Sequence, residues 1–486
     1  MSDSQSIWSR LRALFRRNNP PSPSSPPLAP APSAKQIPLA PPPPSAPLSP
    51  SSTAPQVPLP SQSRVTTVPV PAVDLVLGVD LGTCCTKVVI GDPGWKNKSY
   101  AISFGPAEGD ISAWLHPTRF GSETDLKMRL MNDPASERVR DALACYLATV
   151  IDKARTRFEA QSTADYRRRQ IRWSLNLGFP GKAVDTSPLA SAYREVARVA
   201  IALSSQPEPP SLELASRIRR KEAEFKPFVP TSRIGIYPEI AAQLAGYVNS
   251  PHRRRGNLLL IDVGAGTLDV STIILHGDEE QDIVAFHFCE VKNLGVLRLY
   301  EKRAYELENI ENGCVKYPLD YFQDGYRPVP EKLADFVRVC SPSLDAVFRR
   351  VSSEFAADVL DVAVRCLSRF RRAQREAHAN PAFEPWGRNL RFFLTGGGCR
   401  SQFYNAQLAN GPLEDRLASY FTCWETQRHR RRQLREGLLL EPMPLPGNMH
   451  DFPQALHPQF DRLSVAYGLA FGDQNLMKIT LATCQS

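Results

Sequence analysis

The chain has 486 residues, 42% hydrophobic and 22% charged, with a formal net charge of +9. That length allows more than one domain, and the balance is ordinary for a water-soluble protein. No run of 18 apolar residues occurs, so no segment is expected to span a bilayer. The ten cysteines lack C-x2-C pairs or histidines at metal spacing, which argues against structural zinc and for thiols in a reducing cytoplasm.

In chain order, Ile7, Trp8, Leu11, Leu14 and Phe15 fall on one arc of a helical wheel with the four arginines of residues 7–17 outside it, predicting a short basic amphipathic helix. It suits a peripheral site on an anionic membrane, a docking surface on a partner protein, or a targeting peptide. After this segment (1–19), residues 20–72 are rich in Pro, Ser and Ala and cannot bury enough apolar surface to offset backbone ordering, so they read as a disordered or polyproline II linker. Residues 1–73 hold six Lys and Arg against Asp3 alone, net +5 of the chain's +9. The folded part is therefore close to balanced. Its Arg428–Arg432 run reads as a solvated helix face without any base-reading motif beside it, and no specific nucleic acid partner is expected.

Folded material is expected from Val73. An apolar run, Val73–Leu77, leads into Gly78-Val79-Asp80-Leu81-Gly82-Thr83-Cys84-Cys85-Thr86-Lys87 and returns through Val88–Ile90, a strand-turn-strand hairpin. Helices are predicted over 137–160 and 187–203, with a strand at 171–178 between them. A second hairpin rises from Leu258–Ile261 through Asp262-Val263-Gly264-Ala265-Gly266-Thr267-Leu268-Asp269 and returns through Val270–Ile274. A long helix over 344–378 starts at Ser341-Pro342, an N-cap followed by proline at the first helical position. A last buried strand, Asn389–Leu394, ends in Thr395-Gly396-Gly397-Gly398-Cys399-Arg400.

Neither hairpin is a better-known phosphate cradle. Gly181-Lys182, the one Gly-Lys pair, is followed by Ala183, so no G-x-x-x-x-G-K-[ST] loop is present, and a Rossmann turn would open a helix where Val270–Ile274 favours a strand. A tight glycine hairpin instead lets backbone N–H groups approach phosphate oxygens. Asp80 and Asp262 beside it need a counter-ion, for which Mg2+ held through water and phosphate is the natural choice. The two turns, 182 residues apart by these aspartates, read as two jaws of one nucleotide site.

The order and spacing of these three turns resemble the ATPase domain of the heat-shock seventy-kilodalton chaperones, within the actin, hexokinase and sugar-kinase superfamily. The resemblance spans roughly Asp74 to Asp473. It implies an α/β, two-lobed actin-like ATPase fold, two ribonuclease H-like halves with ATP or ADP between them, divided here as 73–255 and 256–480 with a peripheral insert at about 300–385. By that resemblance Asp80, Gly82 and Thr83, with Thr86 nearby, form the first phosphate loop, and Gly264, Gly266, Thr267, Asp262 and Asp269 the second. Gly295 follows as a short supporting turn. Gly396, Gly397 and Gly398 hold the adenosine, with Arg400 stacked on the base. Asp461–Gly472 resembles the closing helix packed under that loop, and Trp114–Thr118 the first lobe's insert. Glu239, in Tyr237-Pro238-Glu239-Ile240-Ala241-Ala242, matches the glutamate that positions attacking water, although it follows the proline instead of preceding it. The family's catalytic lysine has no counterpart that the sequence places. Cys84 and Cys85 stand where the family carries hydroxyls or an aromatic, and Ala265 replaces a glycine. The resemblance implies an ATP-binding, slowly hydrolysing, chaperone-like switch in the cytoplasm, lacking the peptide-binding domain and acting through a protein partner. A membrane-tethered actin-like filament protein and a small-molecule kinase are the other readings of the same superfold.

Overall fold

The computed structural model describes residues 71–480 apart from 105–119, 122, 124, 162–163, 181–186, 222–223, 226, 249, 251, 278–281, 319–328, 377–389, 410, 423–437, 451 and 472–478. The chain divides between Val70 and Pro71 into two units. The amphipathic segment, nearly all of the Pro-rich linker, Trp114–Thr118, Arg428–Arg432 and Gly472 lie outside the described residues.

The first sheet is built from β1 (Ala72–Leu81), β2 (Thr86–Asp92), β3 (Lys98–Ala101), β4 (Gln170–Phe179) and β5 (Ile234–Pro238), in the order β3-β2-β1-β4-β5. β2 runs antiparallel to β1 and β3 antiparallel to β2, while β4 and β5 run parallel to β1. Parallel neighbours need crossovers, and helices supply them. α1 (Leu126–Asn132) and α2 (Glu137–Gln161) precede β4; α3 (Pro188–Leu203) and α4 (Leu212–Arg220) precede β5. Ser187 caps α3, its side chain accepting from the Ala190 N–H at 3.2 Å with Pro188 next to it, the pattern expected of a helix start. Alternation along β1 sends Leu75, Leu77, Val79 and Leu81 into a core shared with α2, α3 and α4.

The second sheet repeats this plan strand for strand. β6 (Gly256–Val263), β7 (Leu268–Gly277), β8 (Asp282–Lys292), β9 (Leu390–Thr395) and β10 (Leu438–Glu441) lie in the order β10-β9-β6-β7-β8, with β11 (Ile479–Thr480) added beyond β8. The pairing senses match those of the first sheet. Its crossovers are α6 (Val296–Ile310), the 35-residue α7 (Pro342–Glu376), α8 (Gln402–Leu408) and α9 (Pro412–Thr422). Leu259, Ile261 and Val263 of β6 pack with α7 and α9. Of the insert expected over about 300–385, Tyr300, Ala304, Leu307, Phe336, Leu344 and Phe348 form a satellite cluster. From Phe355 onward α7 leaves that cluster and lies on the sheet.

The remaining two sheet faces are joined by an exchanged pair of helices. α5 (Glu239–Val248) leaves the first lobe's last strand and packs on the second sheet, where Tyr247 meets Phe393 with ring centroids 4.8 Å apart. α10 (Ser464–Ala470) returns from the second lobe onto β1, β2 and β4. Asn176 of β4 donates to the Leu469 carbonyl at 2.8 Å. Close approach of the two helices depends on Gly468, where a Cβ would lie 1.8 Å from the Ala242 carbonyl oxygen. Two α/β halves of one topology, each giving a helix to the other, make the two-lobed actin-like fold. Among the described residues no helix is long and apolar enough to cross a membrane.

Candidate active site

β1 and β6 hold the same place in their sheets, and both end in Asp-x-Gly. Leu81 pairs with Thr86 and Val263 with Leu268, so each hairpin closes through a four-residue turn, 82–85 and 264–267. One residue further back, Asp80 faces Lys87 and Asp262 faces Asp269. Both turns open onto one cavity of about 530 Å³, a volume suited to a small-molecule ligand.

The structure brings most of the sequence-predicted residues to that cavity. Asp80, Gly82 and Thr83 line it from the first turn, and Asp262, Gly264, Thr267 and Asp269 from the second. Gly396, Gly397, Gly398 and Arg400 close one end, and Glu239 enters from the first turn of α5. Gly396 has φ +83°, and a Cβ on it would stand 2.1 Å from Asp262 Oδ1. Only glycine lets the third turn seat against the second.

Three expected residues lie elsewhere. Thr86 is wholly buried on the opposite face of β2, its Oγ1 2.8 Å from the Tyr146 hydroxyl; strand alternation sends Lys87, not Thr86, toward the cavity. Gly266 is absent from the cavity wall because the two turns touch at their tips: a Cβ there would sit 3.1 Å from Thr83 Oγ1. Gly295 supports the second turn from behind, its N–H donating to the Gly266 carbonyl at 3.2 Å. Arg400, expected to stack on the base, is paired with Asp461 through Nη1–Oδ2 at 3.1 Å and Nη2–Oδ1 at 2.5 Å. Asp461 belongs to a 3₁₀ stretch, Gln454–Arg462, ahead of α10. The closing helix itself is shorter than expected and lies on the first sheet.

Four further cavity or cavity-side residues have no role assigned from the sequence. Lys87 Nζ bonds Asp80 Oδ2 at 3.0 Å, and Lys127 Nζ of α1 bonds Glu239 Oε1 at 2.7 Å. Gln243 donates to Asp262 and, at 2.9 Å, to Thr395 Oγ1. At the three-glycine end, Glu331 accepts from the Ser401 hydroxyl at 2.6 Å and from the Gln402 N–H at 3.0 Å. Hairpin register points to Lys87, and i, i+4 spacing from Glu239 points to Gln243. Lys127 comes from a short helix without any local signature.

The electrostatics follow from four carboxylates and two ammonium groups in one buried cluster. Burial pulls Lys87 and Lys127 down, yet Asp80 and, for Lys127, Glu239 hold both above the ordinary lysine value. Burial also raises Glu239, against the pull of Lys127. Asp262 is pushed up to about 6 by burial, opposed by its Gln243 hydrogen bond, and Asp269 to about 8 by burial with Asp262 and Glu239 adding to it. Asp269 Oδ1 is buried without a hydrogen-bond partner. Such a site favours an added cation. Among the described residues no group of three or more His, Cys, Asp or Glu side chains is arranged to hold a metal directly. The donor set therefore suits Mg2+ bound largely through water and ligand oxygens rather than in a protein cage.

No protein-family model matches the chain, and no curated protein matches it. Among solved structures, the ethanolamine utilization protein EutJ from Carboxydothermus hydrogenoformans is 12% identical with a TM-score of 0.34, over 82% of this chain and 90% of that one. A ParM filament structure from Clostridium botulinum is 11% identical with a TM-score of 0.38, over 82% and 98%. A PilM-PilN type IV pilus biogenesis complex is 14% identical with a TM-score of 0.34, over 83% and 98%. At these identities and TM-scores, none of them says what this chain binds or does.

Proposed function

We propose that the protein binds ATP with Mg2+ between its lobes, hydrolyses it slowly to ADP and phosphate, and signals the bound state to a protein partner. The observation that carries this reading is that Asp80 and Asp262, at equivalent ends of two equivalent strands, face one cavity across two glycine turns. In this reading backbone N–H groups of residues 82–85 and 264–267 cradle the phosphates, and the three-glycine turn with Arg400 and Asp461 walls the nucleoside. Asp80, Asp262 and Asp269 would hold the metal's water shell. Mg2+ would supply charge neutralisation on the phosphate oxygens. Lys87 lies within reach of the phosphates from the first hairpin, while Lys127 fixes Glu239 to orient the attacking water.

The exchanged helices give the switch its mechanics. Because α5 carries Glu239 at one end and lies on the opposite lobe's sheet, a ligand gripping both turns also sets the angle between the lobes. The chaperone-like part of the resemblance has no separate support in the fold.

ATP titration by calorimetry with Mg2+, on the full chain, tests the reading. Wild-type binding should fall at least tenfold, about 1.4 kcal/mol, in Asp80→Ala and in Asp262→Ala. Equal binding by both variants and the parent would sink the assignment.

A further inference from the structure

Arg400 closes the three-glycine turn, Gly397–Arg400, and Asp461 lies in the 3₁₀ stretch Gln454–Arg462; both line the cavity. Their backbones are each held in place. A Cβ on Gly398 would lie 2.5 Å from Val296 Cγ2 and 2.6 Å from Val263 Cγ1, so the turn sits tightly on the second lobe. Asp461 follows Phe460, which is buried in the core shared with α5 and α10, and its own carbonyl accepts from the Ser464 hydroxyl at 2.8 Å. The long Arg400 side chain is the pliable part between them. Asp461 meets it with both oxygens, Oδ2 taking Nη1 at 3.1 Å and Oδ1 taking Nη2 at 2.5 Å, and Oδ2 also accepts from the Cys399 thiol at 3.3 Å. A fork of this kind engages the guanidinium's edge in its own plane. Stacking uses the face, so pairing and stacking are compatible. The Asp461 side chain is 11% exposed and that of Arg400 38%, which makes the carboxylate the buried support and the guanidinium the accessible part of the pair.

We propose that Asp461 is a positioning residue for the nucleoside: it holds the Arg400 guanidinium in one plane, and that plane takes the base of a nucleoside triphosphate by stacking. This rests on the nucleotide reading above and adds what separates a nucleotide from a bare polyphosphate. The two hairpin turns grip phosphate oxygens, which tripolyphosphate supplies as well as ATP does. The base is the part it lacks. A guanidinium face attracts a base through its π system, and a face fixed before the ligand arrives loses less freedom on binding than one the ligand must order. The preference for a nucleotide therefore depends on Asp461 through Arg400, without any contact between Asp461 and the base.

Affinities of full-length wild type, Asp461→Asn, Arg400→Ala and the double variant test this, for ATP with Mg2+ by calorimetry and for tripolyphosphate with Mg2+ by displacement of ATP. In Asp461→Asn an amide group replaces one of the two acceptors, so ATP should bind about tenfold more weakly while tripolyphosphate stays within about twofold. In the Arg400→Ala background the same change should have little further effect on ATP. Equal losses for ATP and tripolyphosphate would show a general distortion of the cleft and overturn the proposal, as would an Asp461→Asn protein that binds ATP as tightly as wild type. Additive losses in the double variant would place the effect of Asp461 outside Arg400 and overturn it too. Wild type that binds ATP no more tightly than tripolyphosphate would overturn the proposal and leave the phosphate-site assignment standing, whereas failure to bind either would overturn that assignment with it.

Discussion

Lys87 and Asp269 stand at the same register position in two equivalent hairpins, each opposite the aspartate that is next to last in the preceding strand. The first lobe thereby offers a neutral pair, Asp80 with Lys87 at 3.0 Å. The second sets two carboxyl groups opposite each other, Asp262 and Asp269. A pseudo-symmetric fold so presents a charge-asymmetric site.

Removing the Lys87 ammonium leaves Asp80 buried without its partner. Lys87→Met should therefore destabilise the protein by about 3 kcal/mol, and the double variant Asp80→Asn, Lys87→Met should recover much of that. The shift in urea midpoint for the three proteins measures it. A double variant less stable than Lys87→Met alone would contradict the pairing.

The Asp262 and Asp269 pair makes stability without ligand depend on pH with a sign unusual for carboxylates. Their folded values, about 6 and about 8, lie above the ordinary 3.8. The contribution of the neutral forms is therefore complete below about pH 4 and is lost as pH rises toward 8. At about 1.4 kcal/mol per unit for one group, Asp269 accounts for at most roughly 3 kcal/mol between pH 6 and 8. In chelator and without nucleotide, wild-type Tm should fall over that range more steeply than that of Asp269→Asn. Parallel curves would refute the shift.

Gln243 and Lys127 should separate binding from turnover. Gln243→Leu strips Asp262 of a hydrogen bond and should weaken Mg2+-ATP binding about tenfold, in the range expected for groups that orient metal-site carboxylates. Lys127→Met releases Glu239 and should lower kcat about a hundredfold with ATP Kd within about threefold. Calorimetry beside phosphate release distinguishes the two; a Kd loss dominating in Lys127→Met would move that lysine from Glu239 to the ligand.

The parts of this site that were legible in the sequence are those fixed by local backbone chemistry. Asp-x-Gly between two β-branched runs can hardly be other than a tight hairpin, so Asp80, Asp262 and their turns were readable, as was Ser187-Pro188 at a helix start. What local pattern cannot supply is direction. Thr86 and Lys87 are neighbours, and which of them faces the cavity depends on which side of β2 is covered by α2. Lys127 was unreadable for a related reason, since its role comes from an ion pair with Glu239, 112 residues away. The exchange of α5 and α10 between lobes likewise lies beyond any periodicity, since an amphipathic helix records that it packs and not against which sheet.

That exchange yields the sharpest stability prediction. At Gly468 an added methyl would stand 1.8 Å from the Ala242 carbonyl oxygen, 2.6 Å from its carbon and 3.0 Å from its Cα, all backbone atoms of α5. Backbone cannot rotate aside, so α10 must move off α5. α10 also touches the first sheet closely, a Cβ on Gly78 lying 2.3 Å from the Ala466 carbonyl oxygen, so the shift has little room to be absorbed. Overpacking of this kind costs about 1–3 kcal/mol or more, against the gain of at most about 1 kcal/mol that alanine brings to a helix interior. Gly468→Ala should therefore lower stability by roughly 2 kcal/mol or more and weaken ATP binding through the altered lobe angle. Gly447→Ala, where nothing lies within 4 Å, should change neither. Urea denaturation and ATP titration on the two variants decide it, and a Gly468→Ala protein as stable as wild type would mean that the helices do not meet as described.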